Sequence, residues 1–293
     1  MEKIDCCPGL CMIYLGEDVD LLSCKHCGKE RYSRYKEGTA MKRQKKNLSY
    51  KKMWYFPLGP RLKRLYASNA CADKMRWHKE RVVIAGDEGR MGHPSDSPSW
   101  KEFDEKYREF AAEPRNVRLG LSTDGFNPFG SEWKYSCWPV MLTPYNLPPG
   151  DCLKEPFMFL TVLVPGPDDP GQKLDVFLQP LMKELIELRE DGVPAYYVST
   201  KTNFTLRAAL LWTVIDFPAY SMLSGRKTSG FRACPHCLDD VDSFRLPKSG
   251  KESWFDCHRR FLPDDHPFRM NKTQFLKNKI CMKKPPKDGY KRL

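Results

Sequence analysis

Two Cys/His groups and two isolated aspartates carry the candidate chemistry of this chain of 293 residues. Near the start, Cys7-x3-Cys11 is followed after twelve residues by Cys24-x2-Cys27. Close pairs separated by a loop let two knuckles present four thiolates to one tetrahedral Zn2+. Gly9 and Gly28 suit the tight turns such knuckles require. Cys6 and His26 are spare ligands, and free buried thiols are the plain alternative. The second group is Cys234-Pro235-His236-Cys237, then Cys257-His258 and His266. Cys234, Cys237, His258 and His266 can close a Cys2His2 site across a 20-residue loop, although His-x7-His is wider than usual finger spacing. Cys257 and His236 can each substitute for one ligand. Otherwise His258 and His266 are ordinary hydrogen-bonding residues of HRRFLPDDHPFR.

Asp124 follows the apolar segment VRLGLST and precedes a Gly-Phe-Asn-Pro turn; Asp216 follows the run Ala208 to Ile215. A carboxylate at a strand's end is held rigidly with its oxygens towards a cleft. Two of them on neighbouring strands can bridge divalent metals roughly 4 Å apart, the arrangement for in-line phosphodiester attack. Mg2+ suits such a site because it takes carboxylate oxygens and keeps waters. Taken singly, Asp-Gly and Asp-Phe-Pro are also ordinary turn sequences.

The elements that must position these residues are partly legible. Residues 117–123 read as a buried strand, and 138–145 and 157–164 as two more. Residues 174–191 carry apolar side chains at 174, 177, 178, 181, 185 and 188, with Gly192 behind them as a C-cap, and read as a helix. Residues 100–112 have helical spacing, while 205–215 fits strand or helix. The expected fold class is therefore mixed α/β (α+β).

Composition narrows the function. Hydrophobic residues make up 41% and aromatics 12%, which is too apolar for a wholly disordered chain. No run approaches the roughly 18 apolar residues of a membrane helix, so no membrane partner is expected. The start, MEKIDCCPGLC, lacks a secretory signal, so twelve cysteines point to metal and thiolates instead of disulfides. The net charge of +12 is uneven. Residues 29–81 hold 17 basic and 4 acidic side chains, and 269–293 hold 9 and 1. Residues 82–268 are net acidic, 21 against 27. Basic arms around an acidic centre suit a site that gathers carboxylates while its flanks hold phosphates. The stretch Met41-Lys42-Arg43-Gln44-Lys45-Lys46 equally suits a solvated linker or a nuclear-import signal.

Several strings together resemble the CACTA (En/Spm) superfamily of plant transposases. They include DSPSWKEFD at 96–104, PRNVRLGLSTDGFNPFG at 114–130 and PYNLPP at 144–149. The likeness continues through LRAA at 206–209, DFPAY at 216–220 and HRRFLP at 258–263. It implies an RNase H-like core that cuts and rejoins DNA through a DDE/D carboxylate triad with Mg2+ or Mn2+. By position, Asp124 matches the first catalytic aspartate and Asp216 the second. The group Cys234, Cys237, His258 and His266 matches a Cys/His insertion after the second aspartate.

The third acidic residue is not identifiable, and the expected core is truncated, the chain stopping soon after a basic tail. Three readings therefore stand: a DNA-transposing enzyme, a catalytically inactive DNA- or protein-binding remnant, or a silent fragment that folds incompletely because one sheet face is left uncovered. The expected organisation is a zinc-ribbon-like module at 1–31, a basic, aromatic-containing linker region at 32–99, the partial core at 100–225, the Cys/His insertion at 226–270 and a basic tail at 271–293. Structural Zn2+, DNA at element ends and target, a homo-oligomer or second element-encoded protein, and a nuclear location complete the expectation.

Overall fold

The segment read as a buried strand at 117–123 is one, and a mixed sheet extends on both sides of it. The computed structural model describes residues 1–33, 48–81, 91–130, 134–225, 230–231, 241, 243–254, 259–274 and 280–282. Contacts divide the chain into a first unit, Met1–Asp216, and a second, Phe217–Leu293. The first unit runs β1 (Glu2–Cys6), β2 (Lys51–Tyr55), α1 (Gly59–Ala67), α2 (Trp77–Glu80), α3 (Pro98–Lys106), α4 (Arg108–Ala112), β3 (Val117–Thr123), β4 (Trp138–Pro144), β5 (Phe159–Val164), α5 (Leu174–Glu190), β6 (Val193–Tyr197), β7 (Thr202–Leu206) and β8 (Ala208–Val214). No helix among the described residues is long and apolar enough to cross a membrane.

Six strands form one sheet in the order β1-β2-β5-β4-β3-β8. All neighbours are antiparallel except β3 and β8, which are parallel. A parallel neighbour needs a crossover, and α5 lies within it, packing on β2, β5 and β8. Its apolar stripe, Leu174, Phe177, Leu178, Leu181, Leu185 and Leu188, is buried. The helix closes on Gly192, whose φ of +73° allows its N–H to donate to Glu187 O at 2.9 Å. The residues read as strand or helix at 205–215 divide between β7 and β8, and β6 pairs with β7 as a separate hairpin. The region 32–99 contributes β2 to the sheet, and α1 packs on β6. Glu184 of α5 fixes the start of α1, accepting from the backbone N–H of Leu58 and Gly59 and from the Tyr55 hydroxyl.

Register within the β3–β8 pair changes once. Val117 pairs with Ala208 and Leu119 with Leu210, but Gly120 pairs with Trp212, so Leu211 is a bulge. A Cβ on Gly120 would overlap the Tyr145 ring, and the indole nitrogen of Trp212 lies 3.1 Å from where that atom would sit. Glycine is what lets Tyr145 and Trp212 cross the centre of β3.

Much of the 96–146 motif is architecture. Arg118 is 1% exposed, and its guanidinium is clasped by Asp104 and lies 4.8 Å from the Trp100 ring centre. Asp104 also accepts from Trp100 Nε1, and Ser97 caps α3. Buried Asn146 accepts from Arg118 N and donates to Asn116 O, while Asn116 accepts from Arg207 N. The helix expected over 100–112 breaks at Tyr107 (φ −116°, ψ 62°), giving α3 and α4.

In the second unit, α6 (Phe217–Ser224), the short hairpin of β9 (Phe244–Arg245) and β10 (Glu252–Ser253), and α7 (Pro267–Met270) are described. Buried Arg269 donates to the carbonyls of Arg259, Arg260 and Leu262, which folds residues 259–262 around α7.

Candidate functional site

β1 ends at Cys6 and the chain turns at once into the first knuckle. Cys7 N donates to Met12 O and Leu10 N to Cys7 O, with Leu10 at φ 60°. The second knuckle repeats the device: Gly28 N donates to Cys24 O and Cys24 N to Lys29 O, with Gly28 at φ +70°. Together they bring the Sγ atoms of Cys7, Cys11, Cys24 and Cys27 within 4.8 Å of one another. Cys7 and Cys27 Sγ are 3.4 Å apart. A tetrahedral Zn2+ with bonds of about 2.3 Å sets its sulfurs about 3.8 Å apart, so this four-cysteine cluster can hold a metal such as zinc.

Two other candidate side chains stand apart from the cluster. Cys6 Sγ turns away to Ile4 O, and neither Cys6 nor His26 belongs to the cluster. Gly9 N donates to Cys7 Sγ, and a Cβ there would press on three of the four sulfurs at 3.3–3.6 Å, most tightly on Cys11, so glycine leaves them the most room. Burial pushes the Cys7 thiol up to about 12. Cys27 is drawn down to about 7, first by the Lys29 backbone N–H and then by its hydrogen bond with Cys7. Cys27 therefore reaches the thiolate near neutral pH while Cys7 does not, and a metal must displace the proton of Cys7.

Two side chains outside the knuckles hold them. Arg31 bonds Asp5 of β1 and the carbonyls of Val19 and Leu21. Lys173, immediately before α5, donates to Gly9 O at 2.7 Å and lies 4.0 Å from Cys11 Sγ. Sequence reasoning missed Lys173, because a lone lysine 162 residues from Cys11 carries no local signal.

Asp124 comes one residue after β3, and Asp216 two residues after β8. Ser122 pairs with Val214 in the parallel ladder, so two residues further on each strand are Asp124 and Asp216. They occupy equivalent positions at the same end of adjacent strands, whose axes lie about 4.8 Å apart. Both residues are exposed. Asp124 Oδ1 accepts from Gly125 N at 2.7 Å, and Gly125 lies flat on the Trp138 indole, where a Cβ would approach ring atoms to 2.7 Å. Thr123 Oγ1 donates to Pro139 O, anchoring the strand end. Among the described residues the cysteine cluster is the one group of three or more potential ligands within 4.8 Å, and no third carboxylate joins this pair.

Counting antiparallel pairings, β1 runs parallel to β3, so the cysteine knuckles open on the same edge of the sheet as Asp124. Four strand spacings separate them, about 19 Å.

Of the second candidate group, Cys234, Cys237 and His258, with the substitutes His236 and Cys257, lie outside the described residues. His266 is described: its Nδ1 accepts from Phe268 N at 3.2 Å and caps α7, which leaves Nε2 as the ring nitrogen for any ligand.

Residues 88–289 match the family described as Transposase family tnp2. No curated protein and no solved structure matches the chain.

Proposed function

The chain belongs to the transposase family tnp2, and from that premise we propose that it acts in transposition of a CACTA-type DNA element, cutting and joining DNA at Asp124 and Asp216. The register that makes Asp124 and Asp216 equivalent positions on adjacent parallel strands is the observation that carries this reading. The strand order β5-β4-β3-β8, with α5 in the crossover, supports an RNase H-like core.

In this reading Asp124 and Asp216 hold Mg2+ or Mn2+, hard cations suited to carboxylate oxygens. The bound ion supplies charge neutralisation at the phosphate and a more acidic water. Water attacks phosphorus at the element end, the bond from phosphorus to the 3′ oxygen breaks, and a 3′-hydroxyl is released. That hydroxyl then attacks a target phosphodiester, forming one P–O bond as another breaks. A third carboxylate comes from another part of the protein or a partner chain. Zinc in the cysteine cluster is structural, tying the N-terminal knuckles to β1. Basic arms at 29–81 and 269–293 hold phosphates, and the 41–46 stretch directs the protein to the nucleus of a plant cell.

The test is a strand-transfer assay of the full chain on element-end duplexes with Mg2+ or Mn2+. Activity that disappears in Asp124→Ala and Asp216→Ala supports the reading; activity that survives either substitution removes that residue from it. Binding by the wild type without cleavage favours the non-catalytic DNA-binding remnant.

A further inference from the structure

At the opposite end of β3 from Asp124, an open cavity of about 430 Å³ is rimmed by Lys106, Arg108, Arg189 and Arg207 around the Tyr107 ring. These come from three separate places in the chain: the α3–α4 break, the last turn of α5 and the residue before β8. The irregular backbone at Tyr107 separates α3 from α4, and the Tyr107 ring meets Arg189 of α5. Arg189 lies over the Tyr107 ring at 4.7 Å and Lys106 at 5.4 Å. Burial works to raise the Tyr107 phenol, yet the Arg189 and Lys106 charges together hold it below its ordinary value. Glu105 and Glu109 also line the cavity, so its walls carry four positive charges against two negative. None of the four cations makes an ion pair among the described residues, although carboxylates stand on the same rim.

Guanidinium groups that form no ion pair among the described residues, converging on an open, aromatic-floored cavity, are built for an oxyanion with several acceptor oxygens. We propose that this cavity binds a phosphate group, and that in the working protein it is a backbone phosphate of DNA. The DNA half of the proposal rests on the transposase reading above; the phosphate half does not. Geometry favours DNA as the source. Seven residues of β3 separate the cavity from Asp124, about 23 Å at about 3.3 Å per residue. That equals about seven base pairs of duplex, at about 3.4 Å each. A duplex cut at Asp124 would present a phosphate to Arg189 and Arg207 roughly one half-turn or more away from the cut.

The experiment measures equilibrium binding of the full chain to a 30-base-pair duplex across salt concentrations, with calorimetric titration of inorganic phosphate alongside. The variants are R189Q/R207Q, the charge-keeping R189K/R207K, and R108Q/R207Q, which leaves the Arg189–Tyr107 stack intact. Each lost phosphate contact lowers the slope of log K against log salt by about 0.9. The glutamine pair gives up one neutralised phosphate and is expected to lower it by about 0.9, so that the affinity lost between 50 and 200 mM salt becomes about 3.5-fold smaller, while the lysine pair retains the wild-type slope. Inorganic phosphate bound by the wild type and lost in both glutamine pairs, with no DNA binding by any form, keeps the site, assigns it to a free phosphate compound and removes the DNA half. An unchanged slope together with unchanged phosphate titration, or a wild type that binds neither, overturns the proposal.

Discussion

Asp124 and Asp216 are 92 positions apart, and 92 is the offset between paired residues of β3 and β8 beyond the Leu211 bulge, as in Ser122 and Val214. Before the bulge the offset is 91, as in Val117 and Ala208. Without that extra residue the position opposite Asp124 would be Ile215, and an apolar side chain would meet the carboxylate. Gly120 and Trp212, the first pair after the bulge, share the crowded space beneath Tyr145, so the packing that fixes the register also aligns the two acids.

Because both aspartates are exposed, replacing them should separate chemistry from folding. Asp124→Asn and Asp216→Asn keep size and shape and should leave thermal stability within about 0.5 kcal/mol of wild type. Metal-dependent strand transfer should fall by orders of magnitude in each, with duplex affinity nearly unchanged. A parallel melting curve and cleavage assay on the same preparations would expose a merely structural role, since stability and activity would then fall together.

The Arg118–Asp104 clasp should behave in the opposite way. Arg118 is almost wholly buried, so Asp104→Ala strands a guanidinium with only the Asn116 carbonyl and the aromatic faces of Trp100 and Phe110. The expected cost is about 2–3 kcal/mol, seen as a lower midpoint in urea unfolding. Arg118→Met in the Asp104→Ala background should recover part of that loss, because the buried charge is then gone. No recovery would mean that the clasp positions β3 by shape alone.

Local pattern made some of this visible and hid the rest. The strand at 117–123 and the helix closing at Gly192 were readable because their own side chains show the period and the cap. The spacing of Cys7, Cys11, Cys24 and Cys27 likewise carries its geometry within 21 residues, and the four sulfurs do converge. Hidden were relationships that depend on distant partners. β1 and β2 are short and half polar and become strands only by pairing with each other and with β5. The β6–β7 hairpin lies where the sequence shows no turn signal stronger than Thr200-Lys201, and Lys201 adopts φ 55° there. The 96–146 strings were legible as a family signature, but their buried hydrogen-bonded roles at Asp104, Asn116, Arg118 and Asn146 emerge only from the folded contacts.

Acid should weaken the first unit through His78. Its ring is buried beside Trp100, and burial, then the Arg118 and His93 charges, hold its pKa down at about 3 against an ordinary 6.5. The folded chain keeps this histidine neutral while the unfolded chain binds a proton below about 6.5. The contribution is therefore fully present above pH 6.5 and is lost as pH falls from 6.5 towards 3, on the order of 3–5 kcal/mol over that window. Urea midpoints measured from pH 7 to pH 4 should decline more steeply for wild type than for His78→Leu. Equal slopes would place the acid sensitivity elsewhere.

Metal removal is the sharpest test of the N-terminal knuckles. The four sulfurs, with Gly9 pressed among them, should bind one zinc per chain in a cluster that fails when any of Cys7, Cys11, Cys24 or Cys27 becomes serine. Gly9→Ala should weaken the site without removing a ligand, since its Cβ needs the space between Cys7, Cys11 and Cys27. Ligation requires thiolates and the proton of Cys7 must be displaced throughout this range, so affinity should fall as pH drops, and more steeply below about 7, where Cys27 regains its proton too. Chelation should release β1 from β2 because Cys6 pairs with Lys51 directly beside the first knuckle, while β3, β4 and β8 persist. Hydrogen exchange of the chelated protein measures this: loss of protection confined to residues 2–6 and 51–55 is expected. Collapse of protection across β3–β8 as well would show that the cluster supports the whole sheet, not its β1 edge.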